Sequence, residues 1–137
     1  MEYRTEEDQR LHPWSLEAKL EEKPLSANKM FTIKRRRTHT YNSYAKRWRE
    51  VLEGNKLPED IEDTSLMVFK LDVEVGLSSA NADLDNCLKP LIDCIQENVE
   101  GFNDKKIIHL TAVRHKASRG NEWVSFTLTQ TFRSLTQ

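Results

Sequence analysis

Alternation of apolar and polar residues is sharpest at 65–75, "SLMVFKLDVEV". On an extended chain Met67, Phe69, Leu71, Val73 and Val75 share one face, and Lys70, Asp72 and Glu74 share the other. A period of two held over that length predicts a half-buried strand. "SLEAKLEE" at 15–22 repeats the pattern with Leu16, Ala18 and Leu20, before "KPLSANK" breaks it with proline and small polar residues. Two stretches follow the helical period instead. In "YAKRWREVLEG" Tyr44, Trp48, Val51 and Leu52 align, and Gly54 can close the helix in a left-handed cap. From 84 to 99, Leu84, Leu88, Leu91, Ile92, Ile95 and Val99 form a second apolar stripe. Pro90 has no amide hydrogen, so this helix either begins close before it or bends there. "RRRTHTYNS", "GLSSANA" and "EGFND" read as loops or turns. The last two strands, "KKIIHLTAVRHK" and "EWVSFTLTQTF", flank "ASRGN" and are expected to pair as a hairpin with Val124, Phe126 and Leu128 inward.

The order βαβαββ predicts an α+β fold (α/β-like), a mixed β-sheet packed by two main helices. The length of 137 residues suits a single domain, 16–137, preceded by a charged extension at 1–15. No apolar run approaches the ~20 residues of a membrane span. The opening "MEYRTEEDQR" is charged where a secretory signal is apolar, so the expectation is a cytoplasmic protein with no membrane partner. On the predicted helix Cys87 and Cys94 stand about 10 Å apart, beyond disulfide reach, which predicts reduced thiols. His12, His39, His109 and His115 are scattered, with no zinc-like spacing.

Charge adds a second theme. The net charge of −1 hides a segregation: Lys29, Lys34, Arg35, Arg36, Arg37, Lys46, Arg47 and Arg49 occur between 29 and 49 without one acid, and 50–63 is mostly acidic. Such a run is either a solvated face or a basic surface for a polyanion. Tyr41, Tyr44 and Trp48 alongside it suit either base stacking or core packing, and their helical spacing favours the core for Tyr44 and Trp48.

The chemistry concentrates in "ANADLDNCLKPLID", residues 80–93, where Asp83, Asp85 and Asp93 crowd around Lys89. A D-x-D pair after a strand and before a helix can converge on a hard divalent cation, and carboxylate oxygens suit Mg²⁺. Asp104, in the turn beyond the helix, becomes a third ligand if that turn folds back beside the pair. Lys89 would then neutralise a carboxylate at rest and stabilise added charge during phosphodiester hydrolysis. The plain alternative is a helix N-terminus that favours acids, with Lys89 and Asp93 as an ordinary i,i+4 surface pair. A calcium EF-hand fits less well, because Cys87 and Leu88 stand where that loop needs an oxygen ligand and glycine. The four isolated glycines form no phosphate loop and no nucleophile elbow.

"DLDNCLKPLID" followed by "FNDKKIIHL" resembles the RusA family of Holliday junction resolvases. The family signature is D-x-D-N-x-x-K, an apolar helix carrying a further aspartate, and an acidic turn leading into a strand. "PLSANKMF" is similar to the family's proline–serine–asparagine loop and "RRRTHTYNSYAKRWREVL" to its basic loop and first helix, so the resemblance covers about 16–130. It implies that Asp83, Asp85 and Asp104 bind Mg²⁺, that Lys89 is the catalytic lysine, that Asp93 supports Lys89, and that Asn86 organises the loop. The implied activity is paired nicking of four-way DNA junctions by a homodimer, in recombination and repair. The implied DNA grip is Lys34, Arg35, Arg36, Arg37, Lys46, Arg47 and Arg49, with His39 as a loop or phosphate contact. Asn103 stands where relatives often carry a second aspartate, and "SSANA" where some are arginine-rich. Two other functions fit the same residues: a nuclease for other branched or flap DNA, and a junction-binding protein without catalysis.

Overall fold

Strand β2 (Met67–Leu77) runs through the middle of one mixed sheet, flanked by β4 (Trp123–Phe132) and β3 (Ile107–Lys116), with β1 (Ser15–Leu20) outside β4. The computed structural model describes residues 14–32, 36–58 and 67–132. Two helices, α1 (His39–Leu52) and α2 (Leu88–Asn98), complete the α+β architecture. Of the 1–15 extension, all but the last two residues lie outside the described region.

The alternation in β2 translates directly into sidedness. Phe69, Leu71, Val73 and Val75 are buried, whereas Lys70 and Glu74 are exposed. One core cluster joins them to Leu16 and Leu20 of β1, Phe126 and Leu128 of β4, Trp48 and Leu52 of α1, and Leu91 and Ile95 of α2. Trp48 meets Phe126 at 5.5 Å between ring centres, and Phe69 meets Phe102 at 5.0 Å. Tyr41, Tyr44 and Trp48 are all buried, which assigns the aromatic face of α1 to the core.

The hairpin expected of the last two strands does not form. β4 pairs antiparallel with both β1 and β2, and β3 pairs parallel with β2 on its other side. The reason lies in β2, whose apolar face is the most continuous in the chain. Sandwiched between two neighbours it satisfies both rows of backbone groups, whereas a β3–β4 hairpin would leave it at an edge. The connection over 117–122 crosses the end of β2, and the Ala117 amide donates to the Leu77 carbonyl at 3.1 Å. Gly76 makes this crossing possible, because a β-carbon there would stand 2.2 Å from Nε1 of Trp123.

Both helices start differently from the sequence expectation. α1 begins within "RRRTHTYNS", which read as loop, because Thr38 caps it: its side chain accepts from the Tyr41 amide at 3.0 Å. α2 is preceded by a 3₁₀ turn, Asp85–Cys87, and Pro90 is its third residue. There the missing amide hydrogen costs nothing, since the first turn of a helix has no carbonyls to bond. Gly54 adopts φ 82° after α1 as expected of a left-handed cap.

Cys87 and Cys94 are both free and buried. Among the described residues no helix is long and apolar enough to cross a membrane. β3 is an edge strand, and Ile108, Leu110 and Val113 on it are 44–50% exposed.

Candidate functional site

The D-x-D segment leaves the end of β2 through a loop that several bonds hold in place. The Ser78 hydroxyl donates to Glu122 at 2.8 Å, and this bond holds the Glu122 carboxyl below its ordinary range. The Asn81 amide donates to the Ser79 hydroxyl at 3.3 Å. Arg114, near the end of β3, donates through Nη1 to the Ala80 carbonyl at 3.1 Å and through Nη2 to the Ala82 carbonyl. Two carbonyls before Asp83 are thus fixed by one planar guanidinium.

Asp83 and Asp85 are exposed at this end of the sheet. Asn86 donates from Nδ2 to Oδ2 of Asp83 at 3.2 Å. The Cys87 thiol donates to the Asp83 carbonyl at 3.6 Å, and burial raises its pKa. One helical turn beyond Asp85 stands Lys89, whose ammonium lies 3.5 Å from Asp93, with the Lys89 side chain well exposed and Asp93 largely covered. This i,i+4 contact is common to a supported catalytic lysine and to an ordinary surface pair.

Asp104 stands elsewhere. Its amide donates to Gln96 Oε1 at 2.7 Å, and Gln96 lies about 12 Å of helix beyond Leu88. The 3₁₀ turn Asp104–Lys106 leads into β3 at Ile107, which pairs beside Phe69 near the start of β2, whereas the acid loop leaves β2 after Leu77. Those eight residues of strand span about 26 Å. The turn therefore does not fold back beside the pair within one chain. Among the described residues, no three His, Cys, Asp or Glu side chains are grouped closely enough to hold a metal ion.

The basic segment divides into engaged and outward-facing groups. Arg37 is engaged: its guanidinium pairs with Glu97 on α2, donates to the Tyr41 hydroxyl at 2.9 Å and lies 4.4 Å over the Tyr41 ring. Arg47 pairs through Nε with Glu22 at 2.5 Å. Arg36, His39, Lys46 and Arg49 are exposed. Lys34 and Arg35 lie outside the described residues.

Sequence reasoning missed Arg114. It sits on the same side of the sheet as Val75, its neighbour in β2, where an arginine interrupts an apolar row at the strand's exit. That interruption was the available signal. It missed too the walls of a cavity beside the loop, because these come from three separate segments of chain.

No family model matches the chain, and no curated protein matches it.

Proposed function

We propose that this chain is a Mg²⁺-dependent endonuclease of branched DNA that resolves four-way junctions as a homodimer. The observation that carries this reading is the exposed Asp83–Asp85 loop, strapped by Arg114, with the Lys89–Asp93 pair one turn along. Two carboxylates face solvent here with a lysine following on the helix, and nothing in the core requires them at this position.

The donor set fits Mg²⁺. Asp83 and Asp85 offer hard oxygens at an open position that leaves room for waters and for a phosphate oxygen. When bound, the ion would supply charge neutralisation at the phosphate and a more acidic water. This chain's own groups do the rest. Asp83 and Asp85 would hold that ion where the reacting phosphate binds. The Lys89 ammonium, held by Asp93, offsets the charge that builds as water adds to phosphorus and the P–O3′ bond breaks. Arg36, Lys46 and Arg49 bind the flanking backbone.

Asp104 enters from a second copy in this reading. Two cuts related by a two-fold axis require two sites, and a C2 pair supplies them. β3 is an uncovered edge whose central "IIHLTAV" carries no acid, lysine or arginine, a surface suited to strand pairing. Antiparallel pairing of two β3 strands would set the start of one, with Asp104, beside the end of the other, with Arg114 and the acid loop.

The experiment is cleavage of a synthetic four-way junction, beside a flap and a linear duplex, with and without Mg²⁺. Expected are paired symmetric nicks in the junction that require Mg²⁺ and vanish in Asp85→Asn. Cleavage by Asp85→Asn at the wild-type rate would refute the assigned role. The separation of Asp104 from the pair favours a second reading, a junction-binding protein without catalysis. Tight junction binding with no Mg²⁺-dependent nick in the wild type would establish that reading instead.

A further inference from the structure

A cavity of about 420 Å³ opens directly beside Asp83, within the usual range of small-ligand sites. Three segments build it: the chain after β1, α1 through Thr40, Tyr44 and Arg47, and the stretch from the end of β2 through the D-x-D loop. Its floor is apolar, made by Pro24, Leu25, Tyr44, Leu77 and Cys87, all buried. Its rim is not. Asn28, Asn81 and Asn86 bring carboxamides, Lys23 and Lys29 bring cations, and Asp83 brings a carboxylate.

Tyr44 adds a second observation. The residue is 1% exposed, and its hydroxyl meets the Leu25 backbone and the Trp48 indole without good hydrogen-bond geometry to either. A ligand's acceptor or donor on the cavity side would complete that poorly satisfied group.

We propose that this cavity receives one unstacked nucleobase of the bound DNA strand. A flat body with hydrogen-bonding edges fits an apolar floor ringed by carboxamides, which donate and accept at once. The phosphate on one side of that nucleotide lies on Lys23 and Lys29, and the phosphate on the other side lies at Asp83 and Asp85. Unstacking is least costly where pairing is already disturbed, as at a branch point. The cavity therefore reads both the branch and the base next to the cut. This inference rests on the nuclease reading and states how that site selects its strand.

The test reads binding alone, so that loss of cleavage and loss of the pocket are told apart. Metal-free protein is titrated with each of the four deoxynucleoside 5′-monophosphates and with deoxyribose 5-phosphate, following side-chain amide NMR signals. The expected result is that at least one nucleotide, at millimolar concentration, shifts Asn28, Asn81 and Asn86 while the sugar phosphate does not. Asn28→Ala, on the exposed rim, should raise that dissociation constant about fivefold with the melting temperature unchanged. Equal shifts with deoxyribose 5-phosphate, no shift with any nucleotide, or unaltered binding by Asn28→Ala would each overturn the proposal. Tyr44→Phe gives an independent check: it should keep or raise stability in the free protein and weaken nucleotide binding. Unweakened binding in that variant overturns the hydroxyl's role.

Discussion

The guanidinium of Arg114 donates to the carbonyl of Ala82, the residue immediately before Asp83. The end of one strand thereby sets the angle at which the acid loop leaves its neighbour. Arg114→Lys keeps the charge and loses the fork that engages two carbonyls. Junction cleavage should fall about 10- to 100-fold, as when groups behind a metal site are removed, with little change in melting temperature. Rates equal to wild type would mean that Ser78 and Ser79 hold the loop without it.

Arg36 and Arg37 are adjacent in sequence and should behave oppositely. Arg37 is bound to Glu97 and Tyr41, so Arg37→Ala should cost about 1–2 kcal/mol of stability, discounted because the pair is over a third exposed. Arg36 is exposed, so Arg36→Ala should leave stability unchanged and reduce the salt slope of junction binding by about one. Urea melts and a binding series at several salt concentrations measure both.

Mixing two inactive chains tests whether the site is shared. If Asp104 serves the partner's loop, a heterodimer of Asp85→Asn with Asp104→Asn contains one intact site and one doubly broken site. Single nicks should return on mixing, without paired cuts. If all three carboxylates serve the same chain, both sites stay broken and no activity returns. Light scattering tests the proposed β3–β3 pairing: the wild type should run as a dimer and Leu110→Lys, on the exposed edge of β3, as a monomer.

Buried thiols predict an alkaline limit. Burial pushes the Cys94 thiol up to about 12 and raises Cys87 and the Tyr44 phenol as well. In the unfolded chain a thiol loses its proton at about pH 8.5. The stabilising contribution is therefore complete below that pH and declines as pH rises toward the folded value, because only the unfolded state ionises. The unfolding free energy from urea melts should fall steadily from pH 9 to pH 11, by up to about 1.4 kcal/mol per pH unit for Cys94. Cys94→Ala should flatten that slope.

Much of the fold was legible because it depends on local period. The alternation from Met67 to Val75 and the stripe from Leu84 to Val99 each named a core face that the structure keeps. Strand order was less legible. Nothing within "KKIIHLTAVRHK" or "EWVSFTLTQTF" records that β2 lies between them, since that choice depends on which strand most needs two neighbours. Polar composition masked the start of α1, where one hydroxyl, that of Thr38, outweighs propensity. At the candidate site the Asp83–Asn86 and Lys89–Asp93 contacts were readable because each joins residues three or four apart. Arg114 and Asp104 were not, since their positions follow from a parallel crossover that separates the two ends of one sheet.

Both helices pack on one side of the sheet, and the reverse side bears Glu17, Lys19, Lys70, Glu74, Ser125 and Thr127 on alternate positions. Water is the only solvent those six side chains need, so mutation can recolour these positions without disturbing the interior. Descendants of such a chain would drift apart quickly along their strands while keeping the same shape. Kinship among them would survive in the few positions that turn inward and in the short acid loop, far more than in overall identity.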